Sequence, residues 1–285
     1  MADAPTLDSL LPPEMAHKAE AIGVKKAALD APSMFMLAVL AGAFIAMGAV
    51  FATTVWAGSG LPFGVSRLLG GVVFSLGLIL VVVGGAELFT GNNLIVMAWA
   101  GKKVSTARLL RNWAIVYGGN FVGSVATAAL VFLSGQYELG GGAVGAKALA
   151  IGNAKCELAF LPAMFLGVLC NALVCLAVWL SFSARSATDK VLVIVPPIAA
   201  FVAAGFEHSV ANMYFIPSAL MIKEFAPDEF WLKAGVSADA YPGLTWAGFA
   251  KNLLPVTIGN ILGGVALVGV VYWFIYLRTE KKGDA

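Results

Sequence analysis

Apolar and polar positions along this chain alternate on the scale of whole membrane spans. A span takes about 20 mostly apolar residues. Six stretches meet that length: residues 33–57, 68–99, 107–134, 159–182, 190–222 and 249–277. The pattern predicts an all-α polytopic membrane protein. The second and fifth stretches are too long for one straight helix, and each is interrupted at mid-depth, by GGAELFTGNN and by GFEHSVANM. Ahead of the first span lies PPEMAHKAEAIGVKKAALDAP. Pro13 suits a helix start and Pro32 its end. Met15, Ala19, Ile22 and Leu29 fall near one face, which predicts an amphipathic helix lying on the membrane surface. A lid over a pore is the second reading of that helix. Between spans five and six, Phe225, Phe230, Trp231, Tyr241 and Trp246 are expected as interfacial anchors on a short surface element.

The two interruptions repeat each other. GAELFTGN and GFEHSVAN share Gly85/Gly205, Glu87/Glu207 and Asn92/Asn212 at a constant offset of 120. The following spans, RNWAIVYGGNFVG and KNLLPVTIGNILG, share Asn112/Asn252, Val116/Val256, Gly119/Gly259, Asn120/Asn260 and Gly123/Gly263 at an offset of 140. Spans one and four align weakly, through Gly42/Gly167. Two copies of a three-span unit must enter the membrane in opposite senses, because three is odd. The expected repeats cover about 33–135 and 157–278. Broken helices at matching places of two inverted halves point to a binding site at the midplane.

Composition agrees and narrows the class. The chain is 60% hydrophobic and 12% charged, far less charged than a soluble domain. A net charge of +2 gives no reason to expect a nucleic-acid partner. Cys156, Cys170 and Cys175 form no ligand pattern, so neither a metal site nor a disulfide framework nor any cofactor is expected. The first thirty residues carry many charges and no apolar h-region, so the first span is expected to act as signal anchor. Twelve Lys and Arg fall on the side shared by the termini and loops 2–3 and 4–5, against six on the other. Both termini are therefore expected in the cytoplasm.

The polar interruptions carry the candidate chemistry. A broken helix exposes backbone groups that only protein or a water-filled cavity can satisfy. Half-helices starting near Asn92 and Asn212 would aim N-terminal partial charges at the break, which favours an anion there. His208 is the lone histidine outside the N-terminal region, and its ordinary pKa lets it change charge near neutrality. It is the expected anion-binding and protonation site. Glu87 and Glu207 would repel an anion, so with Asn92 and Asn212 they are expected to support the break, by satisfying backbone N–H groups or balancing charge.

ELFTGNN, NALVCLAVW, FSARSATDK, GFEHSVANM and LLPVTIGNILGG together resemble signatures of the formate–nitrite transporters, nearest the formate channel branch. The resemblance runs from Ser33 to Arg278. It implies an aquaporin-like protomer in a homopentamer, each protomer with its own pore, in the cytoplasmic membrane. It implies passage of formate and similar small monovalent anions. It also places Thr90 and Asn171 beside His208 in the pore, with Phe74, Leu78, Leu88, Val174 and Phe201 as constrictions and Lys155 at the outer vestibule. On that reading, residues 1–32 are a cytoplasmic segment, 33–278 one transport domain, and 279–285 a cytoplasmic tail.

Rival functions find less support. The paired Asn-Pro-Ala motifs of a water or glycerol channel are absent. An ammonium channel would want two mid-membrane histidines. An intramembrane enzyme would need a nucleophile or metal-ligand set beside Glu207 and His208. Within the family, a nitrite or hydrosulfide channel is the alternative to formate.

Overall fold

The computed structural model describes residues 9–279, and these are all helical or loop. In chain order the helices are α1 (Pro12–Ala28), α2 (Ala31–Trp56), α3 (Phe63–Phe74), α4 (Leu76–Gly84), a 3-10 turn (Gly91–Ile95) running into α5 (Val96–Ala100), and α6 (Thr106–Leu133). Then follow α7 (Ala143–Glu157), α8 (Phe160–Ser183), α9 (Ala187–Ala204), α10 (Ser209–Phe225), α11 (Asp228–Ala234), α12 (Trp246–Leu262), a π-helical stretch (Gly263–Gly269) and α13 (Val270–Tyr276). Six segments are long and apolar enough to span a membrane. Spans two and five are the broken ones. Apart from Thr279, the expected tail at 279–285 lies outside the described residues.

Each break begins where a left-handed glycine ends a helix. Gly85 closes α4 with φ 83° and Gly205 closes α9 with φ 79°, a conformation that costs glycine nothing. A softer joint lies between two and three turns earlier in both spans. Ser75 separates α3 from α4, and Pro196–Pro197 sit inside α9. The Ser75 hydroxyl donates to the Gly71 carbonyl at 3.1 Å and lies 3.5 Å from that of Val195, so the two joints meet.

The halves are built on matched close packing. A Cβ at Gly123 would lie 2.0 Å from the Val39 carbonyl oxygen, and one at Gly263 would lie 2.1 Å from that of Val168. These glycines let α2 meet α6, and α8 meet α12, at backbone distance. Val39 and Val168 fix the offset of spans one and four at 129, which corrects the expected Gly42/Gly167 pairing. Gly167 corresponds to Ala38, and Gly42 to Asn171. Gly42 is glycine for another reason: a Cβ there would strike the Asn120 carbonyl oxygen at 2.2 Å.

Three further expectations change. Pro32 opens α2, whose N-cap is Asp30, and α1 ends earlier at Ala28. Phe230 is 2% exposed and packs edge-on against Tyr137, so it anchors α11 to the protein rather than to the interface. Phe225 and Trp246 do remain exposed. Finally, α7 has no counterpart among the expected elements.

Candidate functional site

The break in each half is held by one glutamate, three asparagines and one lysine. Glu87 accepts from Lys26 Nζ at 2.8 Å and from Asn92 Nδ2 at 2.6 Å. Asn92 Nδ2 also donates to Asn112 Oδ1, and Asn112 Nδ2 donates to the Lys26 carbonyl. In the other half Glu207 accepts from Lys155 Nζ at 2.7 Å and Asn212 Nδ2 at 2.6 Å. Asn212 donates to Asn252, and Asn252 to the Lys155 carbonyl. Lys26 lies on α1 and Lys155 on α7. These two short helices are therefore repeat partners, and each repeat is longer than the sequence comparison indicated.

The third asparagine of each set holds the broken backbone. Asn120 Oδ1 accepts the Phe89 N–H, while its Nδ2 donates to the carbonyls of Ala38 and Glu87. Asn260 does the same for Ser209, Gly167 and Glu207. In each break one backbone amide, that of Phe89 or Ser209, is thus held by asparagine and not by the glutamates, which are occupied with lysine and asparagine side chains.

Between the breaks, His208 is 3% exposed. Its Nδ1 accepts the Ala211 N–H at 3.0 Å, so the ring is the N-cap of α10. A backbone amide can only donate, which leaves the proton of the neutral ring on Nε2. Nε2 then donates to Thr90 Oγ1 at 3.0 Å. The Phe201 ring lies nearly parallel to the imidazole, with centroids 5.9 Å apart. Asn171 takes a different place from the one expected. Its Nδ2 shares two hydrogens among Thr90 O, Asn93 Oδ1 and Asn260 O, and none reaches His208. Its Oδ1 is buried without a partner among the described residues.

Three cavities lie in series through this centre. One of about 300 Å³ is bordered by α1 and includes Lys18, Lys26 and Lys190. One of about 240 Å³ is bordered by α7 and includes Arg67 and Lys155. Between them is a chamber of about 10 Å³. Leu78 and Leu88 line both the chamber and the α1-side cavity. Phe74, Phe201 and His208 line both the chamber and the α7-side cavity. Val174 completes the expected set on the chamber wall.

The family described as "Formate/nitrite transporter" matches residues 13–274. This chain belongs to that family. It is 48% identical to "Formate channel FocA" of Escherichia coli (strain K12) over 279 residues, covering 97% of this chain and 98% of the relative. A solved structure described as "Pentameric formate channel with formate bound" superposes with a TM-score of 0.83 at 49% identity, covering 87% of this chain and 98% of that one. A second, "FNT family ion channel", gives a TM-score of 0.78 at 30% identity, covering 92% and 98%. The chain is thus a multi-pass membrane protein of a transporter family.

Several residues of this formate/nitrite transporter family member escaped the sequence reading. Lys26 is one: its contact with Glu87 marks it as the match of Lys155, and the likeness of KAEAIGVKK (18–26) to KALAIGNAK (147–155) is the signal that could have found it. Arg67 donates to the carbonyls of Val202 and Ala203 at the end of α9, and its guanidinium lies over the Trp56 ring. It caps the helix whose end forms the second break. Lys18 donates to the Phe182 carbonyl at 2.8 Å. Burial, together with the nearby Arg185 and Lys190, lowers its pKa. Lys26 and Lys155 are neutralised by their glutamates, so Lys18, Lys190 and Arg67 carry the net charge of the two cavities. The π-helical stretch was also missed. Gly264 on it meets Asn171, where a Cβ would lie 2.5 Å from Nδ2.

Proposed function

We propose that this chain carries formate and related small monovalent anions across the membrane, by a path through each protomer, with His208 as the central binding and protonation site. The observation that carries the reading is the Thr90–His208 contact, set in a chamber between two cavities that each bear net positive charge. Cationic cavities concentrate the anion at either mouth. A bare carboxylate cannot cross the apolar chamber cheaply. Neutral His208 can turn its Nε2–H from Thr90 to a carboxylate oxygen and hold the anion; once protonated at Nδ1 as well, the imidazolium can pass its Nε2 proton to the carboxylate, leaving the neutral acid and a neutral ring. The ring takes a proton back from the aqueous side. Conversion of His208 to a cation through Nδ1 requires release of the Ala211 amide, which ties the charge state to the first turn of α10. Flux is therefore expected to depend on pH.

Lys26–Glu87 and Lys155–Glu207 with their asparagines hold the frame, and Asn171 fixes the backbone of Thr90. The likeness to a structure described as a pentameric formate channel supports a homopentamer. The Lys and Arg bias supports an inner-membrane protein with both termini in the cytoplasm. No reaction chemistry beyond proton transfer is invoked, so the protein is read as a transporter and not an enzyme.

The test is uptake into proteoliposomes of formate, nitrite and hydrosulfide at several pH values, for wild type and His208→Phe. Wild type is expected to prefer formate with a pH-dependent rate, and the variant to lose most flux and its pH dependence. Faster nitrite or hydrosulfide uptake would overturn the substrate assignment. A variant with the wild-type profile would overturn the role of His208.

A further inference from the structure

The chamber at the centre of the path has a wall that the named constrictions do not complete. Besides Phe74, Leu78, Leu88, Val174, Phe201 and His208, it is lined by Ile45 of α2 and Ile198 of α9. Both are buried, at 2% and 1% exposure. The repeat offsets sort six of these eight residues into pairs, while Phe74 and Phe201 have counterparts, Ile194 and Val81, that are not on the wall. Ile45 corresponds to Val174, Leu78 to Ile198, and Leu88 to His208. The chamber therefore sits on the axis relating the two halves.

The volume of about 10 Å³ is near that of a single water probe, too small for any carboxylic acid. Some lining side chains must move for a solute to pass, and they differ in their freedom to do so. Leu78, Leu88, Phe74 and Phe201 branch beyond Cβ and can swing about χ1 and χ2. Ile45, Val174 and Ile198 are β-branched, and in a helix such side chains keep one χ1 rotamer about nine times in ten. The backbone behind the two isoleucines is also pinned. Gly77 brings α4 so near α2 that a Cβ there would lie 3.1 Å from Ile45 Cα and 3.2 Å from its Cδ1. Gly71 brings α3 against α9, where a Cβ would lie 2.6 Å from the carbonyl oxygen of Ala199, next to Ile198.

We propose that Ile45 and Ile198 are specificity-determining residues: with Val174 they form a stiff collar that sets the largest acid the path admits, while the leucines and phenylalanines act as movable gates. The inference rests on the transport reading above and adds the determinant of substrate size. Formate, with a hydrogen in place of a carbon substituent, passes the collar. Acetate, one methyl larger, meets side chains that cannot rotate aside. One methyl group in a tight apolar site is worth roughly a tenfold or greater discrimination.

The experiment compares formate, acetate and lactate uptake, in the same proteoliposomes, for wild type, Ile45→Ala, Ile198→Ala and Leu192→Ala. Leu192 lies on α9 with its side chain 66% exposed, so it controls for a general effect on that helix. Both collar variants are expected to raise the acetate-to-formate flux ratio roughly tenfold, with formate flux retained and Leu192→Ala unchanged. Ile45→Val and Ile198→Val remove one methyl each, and they carry the test if an alanine variant does not assemble; their ratios should rise in the same direction by less. An unchanged ratio in variants that still move formate would overturn the collar. So would a parallel fall of all three fluxes, which marks a purely structural role. Wild-type vesicles silent to formate would instead overturn the transport reading, and the collar with it.

Discussion

The two helix breaks share a frame and differ at the residues that face the centre. Glu87, Asn92, Asn112, Asn120 and Lys26 recur as Glu207, Asn212, Asn252, Asn260 and Lys155, with nearly the same hydrogen bonds. Leu88, however, becomes His208, and Thr90 becomes Val210. Each half supplies one polar side chain at a position where the other half has an apolar one, and the two meet across the axis at 3.0 Å. Interrupting a helix inside a membrane is a symmetric problem with one solution used twice. Acting on a solute, on the proposed reading, is an asymmetric task, and Leu88/His208 and Thr90/Val210 diverge where it would be done.

The comparison breaks most readily at the shared frame. Asn120→Ala and Asn260→Ala each strip one backbone amide and two carbonyls of a buried partner. With about 1–3 kcal/mol for each unsatisfied group, both should lower stability by roughly 3 kcal/mol or more. Thermal unfolding in detergent is expected to show similar drops in Tm. A large drop in one variant alone would mean that the breaks are not equivalent frames.

The lysines come next. Lys155→Met leaves Glu207, 6% exposed at its side chain, without its cation. Removing one member of a buried pair costs about 3 kcal/mol. Lys26→Met should cost at least as much, because Lys26 also donates to Asn92 Oδ1 at 3.0 Å, whereas Asn212 Oδ1 has no partner among the described residues. Adding Glu207→Gln to Lys155→Met should restore most of the lost Tm, and failure to do so would show that the lysine acts by packing.

At the divergent positions stability and flux should separate. Thr90→Val copies Val210 and His208→Leu copies Leu88. Loss of one charge-assisted hydrogen bond to substrate is worth about 1.5–3 kcal/mol, or roughly ten- to a hundredfold in formate flux. Thr90→Val leaves the buried His208 Nε2–H without its acceptor and should cost only about 1 kcal/mol of stability. His208→Leu should lose about 1 kcal/mol through its role as N-cap. Full formate flux in Thr90→Val would end the claim that divergence marks function.

The smallest effect concerns the helix starts. Asp30 caps α2 by accepting the Ser33 N–H at 2.9 Å, and its repeat partner Ala159 caps α8 without any side-chain bond. The Ser33 amide holds the Asp30 carboxyl below its ordinary pKa. That cap is therefore fully formed at neutral pH, and it is lost as pH falls below about 4, the ordinary carboxylate range. Ala159→Asp should raise Tm slightly, by roughly 1 kcal/mol of cap, and the gain should vanish in acid. A gain that persists in acid would not come from a cap.

Much of this was legible in the sequence because a helix break in a membrane leaves few chemical options. Glycine must end the helix, and buried amides must satisfy the backbone, so Gly85/Gly205 and the paired asparagines stand out against leucine and valine. His208 stands out for the same reason. The lysines did not, because a charge near a helix end has an ordinary surface explanation until its partner is known. The match of α1 with α7 is also written in the chain, outside the apolar spans: KAEAIGVKK (18–26) and KALAIGNAK (147–155) share six of nine residues at the offset of 129. Ile45 and Ile198 are two apolar residues among many, and only the chamber distinguishes them. Arg67 acts through backbone carbonyls of a distant helix, a contact with no pattern to find.

The small chamber has an electrical consequence. If the two larger cavities are filled from the aqueous phase on either side, as the transport reading requires, the insulating layer is not the full membrane but the chamber wall between Leu78 and Leu88 on one side and Phe74 and Phe201 on the other. A membrane potential of 100 mV is worth about 2.3 kcal/mol for each elementary charge, and nearly all of it falls across this layer. On the transport reading proposed above, protons and anions meeting at His208 and Thr90 would do so inside a concentrated field, where the voltage acts on them as directly as their concentrations do.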